Sequence, residues 1–107
     1  MDYWIGIDMG TTATKAVLYT GSGAIVATQS IAYTLYRAPS GMAEEAPEDI
    51  FDAVVATIRA VSEKLTAADK LCAIGFSAQQ HSLSATTSDF NTLTRVITWA
   101  DTSANAA

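Results

Sequence analysis

Asp8, Gly10, Thr11 and Thr12 stand together in Ile5-Gly6-Ile7-Asp8-Met9-Gly10-Thr11-Thr12-Ala13-Thr14-Lys15, where an apolar run breaks at one carboxylate into a small polar turn. Glycine lets the backbone take a turn that a side chain would obstruct, and the amides and hydroxyls of the two threonines can then face a phosphate. A carboxylate at the strand end can hold a hydrated divalent cation, because a hard metal on phosphate prefers oxygen ligands and keeps several waters. The same residues also make an ordinary hairpin turn with Asp8 solvated, and taken alone they leave both readings open. Two other phosphate motifs are absent: no G-x-x-x-x-G-K-[ST] precedes Lys15, and Gly21-Ser22-Gly23 lacks the third glycine of a dinucleotide loop.

Two further clusters carry chemistry. Gln79-Gln80-His81-Ser82 holds the only histidine of the chain. Its amides and imidazole supply donors and acceptors suited to vicinal hydroxyls, although a lone histidine is also a common structural hydrogen-bonding residue. Trp99-Ala100-Asp101 pairs an indole, whose face can pack on the carbon side of a polyol, with a carboxylate that can accept its hydroxyls. The alternative is a core aromatic at a strand end followed by a cap or turn residue. Glu44, Glu45, Glu48, Asp49 and Asp52 fall within nine residues. They read as a solvated face at the start of a helix, where the dipole favours acids, rather than as a metal cluster. Cys72, the single cysteine, lies in an apolar run and reads as a buried structural thiol.

The elements that must position these clusters follow from periodicity. Residues 3–8 and 14–19 form a hairpin, a second turn at Thr20-Gly21-Ser22-Gly23 leads into a strand ending near Tyr33, and the result is a three-strand meander. Tyr33 to Ala46 shows no sustained period and contains Pro39-Ser40-Gly41, as a loop would. Pro47 suits a first helical position, and Ile50, Phe51, Val54, Ile58, Val61 and Leu65 recur at spacings of three and four, which predicts a helix of about five turns. Ala46 is a weak N-cap for it. Leu71 to Phe76 predicts a strand buried on both faces and reached by a parallel crossover, so the sheet is mixed. The Gln79–Ser82 cluster then lies at its carboxyl end, where open α/β sheets place ligands. Leu83–Thr86 and Leu93–Trp99 predict two more strands around a turn at residues 88–91.

Composition narrows the function classes. With 107 residues, 50% of them hydrophobic and 16% charged, the chain is globular rather than disordered. A formal charge of −5 excludes a general nucleic-acid surface and favours small-molecule partners. No run approaches the roughly 20 apolar residues of a membrane helix, and no basic-then-apolar leader opens the chain. The expectation is a protein of the cytoplasm with no membrane partner.

Asp8-Met9-Gly10-Thr11-Thr12-Ala13-Thr14-Lys15 resembles the first phosphate motif of the sugar kinase, actin and heat-shock ATPase superfamily, and within it the carbohydrate kinases of the FGGY family. Three more segments carry the resemblance in the same order. Gly41 to Ile50 resembles the loop that enters the first helix of these kinases, with Ala46 in place of Asp or Asn. Gln79-Gln80-His81-Ser82 resembles Gln-Met-His-Gly, with Gln80 at the Met position and Ser82 at the Gly. Trp99-Ala100-Asp101 resembles the start of Trp-x-Asp-x-Arg, with Ser103 where the Arg would stand.

What the resemblance implies is an α/β, ribonuclease-H-like fold with a mixed sheet, as in actin, hexokinase and heat-shock ATPases. Residues 1–107 would be an incomplete N-terminal portion of the first kinase domain. The implied activity is transfer of the γ-phosphoryl of ATP, with Mg²⁺, to a hydroxyl of a sugar, polyol or sugar acid. Gly10, Thr11, Thr12 and Lys15 would hold the nucleotide phosphates, Asp8 the metal through water, and Gln80, His81, Trp99 and Asp101 the acceptor. No catalytic residue is expected in the chain, since the family's base is an Asp from a later region and the adenine lobe also lies there. The chain alone is therefore expected to be inactive. The acceptor segments look closer to the gluconate kinase branch than to the xylulose kinase branch, which ranks gluconate first and xylulose or another ketose second. A homodimer of the parent stays open. An actin-like or chaperone-type ATPase, which would share the phosphate turn but not the sugar segments, and a non-catalytic domain are the rival readings.

Overall fold

The computed structural model describes residues 1–106. Strands β1 (Asp2–Met9), β2 (Ala13–Thr20) and β3 (Ile25–Ala32) form the expected antiparallel meander. After helix α1 (Pro47–Ser62), strand β6 (Lys70–Ala78) joins β1 in parallel, so the sheet runs β3-β2-β1-β6 and is mixed. Side chains of a strand alternate between faces. Ile5 and Ile7 of β1, with Thr14, Ala16 and Leu18 of β2, are buried on the face that α1 covers. Val54 and Val61 of the helix close that core, and Tyr3, Met9, Ile58 and Leu65 pack around it. The opposite face presents Gly6, Asp8, Lys15 and Val17.

Several expectations need correction. The segment from Tyr33 to Ala46 is not a plain loop: it contains β4 (Tyr36–Arg37) and β5 (Ala43–Glu45), which with β7 (Val96–Ile97) make a second, three-stranded sheet in the order β4-β5-β7. Strands of two and three residues are too short to show alternation, so only their distant partners define them. Among the described residues, β6 is not covered on both faces. It is the sheet's outer strand, with Phe76 59% exposed, Leu71 and Ile74 also exposed, and Cys72 only half-buried. An apolar run records that a strand packs somewhere; it does not record that α1 lies over β2 and β3 and leaves β6 uncovered.

The two strands expected after residue 82 reduce to the bridges Leu83↔Ile97 and Thr86↔Thr92 and to β7 itself. The turn between them closes through the Thr87 amide on the Asn91 carbonyl, 2.8 Å, and the Phe90 amide on the Thr87 carbonyl, 3.0 Å. In α1, Phe51 lies on the expected apolar stripe yet is exposed, and Leu65 reaches the core from beyond the helix end. A short 3₁₀ turn at Ser103–Ala106 follows. No helix of the described residues is long and apolar enough to cross a membrane.

The N-terminus of α1 has the weakness its sequence suggests. Ala46 has N-cap backbone geometry, φ −79° and ψ 120°, but no side chain that can accept from the first turn. Pro47 at the start and the acids Glu48 and Asp49 supply what the cap does not. An Ala46→Asp variant should be more stable by about 1 kcal/mol, because a carboxylate there can accept an otherwise unpaired amide. Urea denaturation of the two proteins reads this as a higher midpoint at unchanged slope.

Candidate active site

The turn between β1 and β2 is held from three sides. The Gly10 amide donates to the Ala13 carbonyl at 2.9 Å. Gly10 is not in the left-handed region; what disfavours a side chain is that same carbonyl, which would lie 3.0 Å from a Cβ and would have to give way. Tyr33 clamps the turn from above. Its hydroxyl donates to the Gly10 carbonyl and accepts from Thr14 Oγ1, and its amide donates to the Thr12 carbonyl at 3.0 Å. Burial holds the Tyr33 hydroxyl above its ordinary pKa, and the carboxylates of Glu45 and Asp8 add to this. Sequence reasoning missed Tyr33, since a tyrosine opening an irregular segment carries no pattern.

Asp8 and Lys15 face each other in register across β1 and β2, and Ser77 of β6 stands opposite Asp8. Together with Gly6 and Gly75, a facing pair that puts no side chain on the floor, they line a shallow open cavity of about 440 Å³ beside the turn. The chemistry of the donors fits a hydrated cation on a phosphate. One exposed carboxylate is available, and among the described residues no three metal-ligating side chains converge into a closed cage. Mg²⁺ held through its own waters needs no more than that.

The Gln79–Ser82 cluster begins at the end of β6. Gln79 is tied down: its amide donates to the Met9 carbonyl at 3.2 Å, and its side-chain Nε2 donates to Glu45 Oε1 at 3.0 Å. Gln80 and His81 are exposed, and His81 takes φ 55°, which turns the loop away from the strand direction. Among the described residues no hydrogen bond joins either side chain to Trp99 or Asp101.

Trp99 is 58% exposed, so it is not a core aromatic. Its Nε1 donates to Thr11 Oγ1 at 3.0 Å, which brings the third cluster onto the first. Asp101 is largely engaged within the chain. Its Oδ2 accepts the Ala43 amide at 3.0 Å, and its Oδ1 accepts the Ser103 amide at 2.9 Å and hydroxyl at 2.6 Å. The Ser103 hydroxyl, then the two amides, hold this carboxyl below the usual carboxylate range. A carboxylate offers roughly four acceptor positions, so little of Asp101 is left for a ligand. Ser103 itself is thus what organises Asp101 here.

Glu45 overturns the reading of the acidic run as a solvated face, for it is wholly buried on β5 while Glu48, Asp49 and Asp52 are not. Its Oε2 and the Gln79 Oε1 are buried without a partner among the described residues. Burial raises the Glu45 pKa, and the hydrogen bond from Gln79 opposes this only in part. The spacing of the acids held no sign of it, because burial of Glu45 depends on strand pairing far along the chain.

This architecture, a mixed sheet with a small polar turn between its first two strands and an indole bonded to that turn, is a fragment of the actin and hexokinase fold class. Residues 3–107 match the FGGY family of carbohydrate kinases, N-terminal domain, and the chain belongs to that family. It is 42% identical to the gluconokinase of Bacillus subtilis (strain 168) over 99 residues, 92% of this chain and 19% of that protein. Among solved structures it is similar to gluconate kinase from Lactobacillus acidophilus, with a TM-score of 0.90 and 47% identity over 98% of this chain and 21% of that one. Ligand-bound xylulose kinase from Lactobacillus acidophilus gives 0.91 and 46% over 99% and 21%. The chain spans about one fifth of the length of these relatives.

The buried Glu45 makes a stability prediction with a definite sign. Its folded pKa lies above the unfolded value near 4.5, so its contribution is complete below that value and is lost as pH rises through the raised folded one. A Glu45→Gln variant has no such loss, and its amide can donate to the orphaned Gln79 Oε1. Melting temperatures should therefore converge for the two proteins at acid pH and favour the variant at neutral pH; a wild-type advantage at neutral pH would show that Glu45 stays ionised and paired.

Proposed function

We propose that this chain is the N-terminal part of an ATP-dependent carbohydrate kinase whose acceptor is a sugar acid, with gluconate first. The observation that carries this reading is the contact between Trp99 of the acceptor segment and Thr11 of the phosphate turn, in a chain of the FGGY family. It sets a polyol-binding ring beside the place where a terminal phosphate would lie. The exposed Gln80 and His81 supply the donors a sugar acid needs to offset desolvation of its carboxylate. The names of the relatives favour the same acceptor class, and ATP as donor implies the cytoplasm.

In this reading Gly10 gives the turn its shape, the Thr11 and Thr12 amides and hydroxyls donate to phosphate oxygens, and Lys15 adds a positive charge across the strand from Asp8. Mg²⁺, when bound with ATP, neutralises phosphate charge as the phosphoryl group transfers. Asp8 orients its water shell. Trp99 offers a ring face to the carbon skeleton, while His81 and Gln80 address hydroxyls. Asp101 contributes chiefly by fixing the backbone that carries Trp99, and its remaining acceptor position can meet one acceptor hydroxyl. The chain's own residues bind and orient; deprotonation of the acceptor falls to a base outside residues 1–107. A ketose such as xylulose is the second reading, because the two Lactobacillus structures are almost equally similar at 47% and 46% identity.

A coupled phosphorylation assay of the full-length enzyme on gluconate, xylulose, ribulose, fuculose and glycerol tests the assignment. Gluconate should give the highest kcat/KM. A higher value for xylulose reverses the ranking and leaves the kinase in place, whereas ATP binding with none of the panel phosphorylated removes the acceptor assignment of His81 and Trp99. In the same enzyme Asp8→Ala should lower kcat far more than it raises the KM for sugar, since a metal-orienting group acts mostly in the transition state. Near-normal kcat at saturating Mg²⁺ would make Asp8 a structural turn residue.

A further inference from the structure

The indole N–H of Trp99 can only donate, so at 3.0 Å from Thr11 Oγ1 it fills an acceptor position of that hydroxyl. A hydroxyl has one proton, and among the described residues Trp99 is its side-chain partner. Among the described residues no acceptor takes the Thr11 proton, so it is free to donate to a ligand. We infer that Trp99 is a positioning residue of the nucleotide site: by occupying the Thr11 oxygen as a donor, it commits the Thr11 hydroxyl to donate to a phosphate oxygen. This rests on the kinase reading above and adds to it a role for Trp99 that does not involve the sugar.

Three features of the structure support the assignment. Trp99 cannot drift, because the residues on both sides of it are pinned to β5. The Thr98 amide and hydroxyl both donate to the Ala43 carbonyl, at 3.0 and 2.9 Å, and the Asp101 carboxylate accepts the Ala43 amide. The turn cannot drift either, since Tyr33 holds the carbonyls of Gly10 and Thr12. Two separately anchored groups that meet through one hydrogen bond make a fixed donor direction rather than a floppy one. The electrostatics agree. A donor acting on the Thr11 oxygen polarises its O–H and strengthens it as a donor, and phosphate oxygens, which are acceptors only, are the ligand that gains from this. Trp99 remains more than half exposed, so one side chain can serve both ligands, and whatever presses on the ring also steadies the Thr11 hydroxyl. Affinities for acceptor and nucleotide should then be linked, each raising the other by the same factor.

The test is calorimetric titration of MgATP into the full-length enzyme with no sugar present, so that any role of Trp99 as an acceptor wall is silent. Trp99→Phe keeps an aromatic face and loses the N–H; Thr11→Val keeps the shape and loses the hydroxyl. Thr11→Val should weaken MgATP binding by about 10-fold or more, the range for one hydrogen bond to a charged ligand set against water, and Trp99→Phe by a smaller but measurable factor because the Thr11 hydroxyl is still present. The double variant should be no weaker than Thr11→Val alone, because the indole acts only through that hydroxyl. Thr11→Ser, which restores the hydroxyl, should return affinity to within about twofold of the wild type on the same grounds. Unchanged MgATP affinity in Trp99→Phe, or losses that multiply in the double variant, would overturn the inference. If the wild type binds MgATP but phosphorylates no sugar, the kinase reading fails while these titrations still decide the Trp99 role.

Discussion

The site depends on one residue. Ala43, wholly buried in β5, uses its carbonyl to accept from the Thr98 amide and hydroxyl and its amide to donate to Asp101, 58 residues along the chain. Each such bond contributes only about 1 kcal/mol net, yet losing the Asp101 bond would leave the buried Ala43 amide without that partner, which costs more than the bond is worth. The three together fix the backbone from residue 98 to residue 101. Trp99 lies inside that interval, and its approach to Thr11 follows from it.

The other half of the site is built by alternation in β1. Ile5 and Ile7 point into the core under α1, and the same alternation sends Gly6 and Asp8 to the open face. A hydrophobic core and a polar ligand face thus share one strand, and neither can shift register without destroying the other. The glycine pair Gly6 and Gly75 keeps that face shallow enough for a ligand to lie on it.

Glu45 and Gln79 show where stability is given up. One hydrogen bond joins them, while an oxygen of each remains buried and unpartnered. A buried polar pair that is half-satisfied is worse for folding than an apolar one. Gln79 nevertheless begins the loop that carries Gln80 and His81, and its amide is tied to the end of β1 at Met9. The pair therefore links β5, β1 and the loop at Gln79–Ser82 at a single buried point, close to the Tyr33 clamp on the turn.

The sequence by itself determined the meander, the small polar turn, the amphipathic helix with its uncapped start, and the parallel return that makes the sheet mixed. These are local patterns: alternation, a period of three to four, and turn residues a few positions apart. It also placed Gln80, His81, Trp99 and Asp101 at or beyond the carboxyl end of the last long strand. Only the tertiary structure decided the second sheet, the burial of Glu45, the open edge at β6, the Tyr33 clamp, the engagement of Asp101 by Ser103, and the bond from Trp99 to Thr11. The long-range contacts among these span up to 88 residues and involve strands of two or three, so no local period encodes them. The edge at β6 was hidden for a related reason, since an apolar run has the same composition whether one layer or two will cover it.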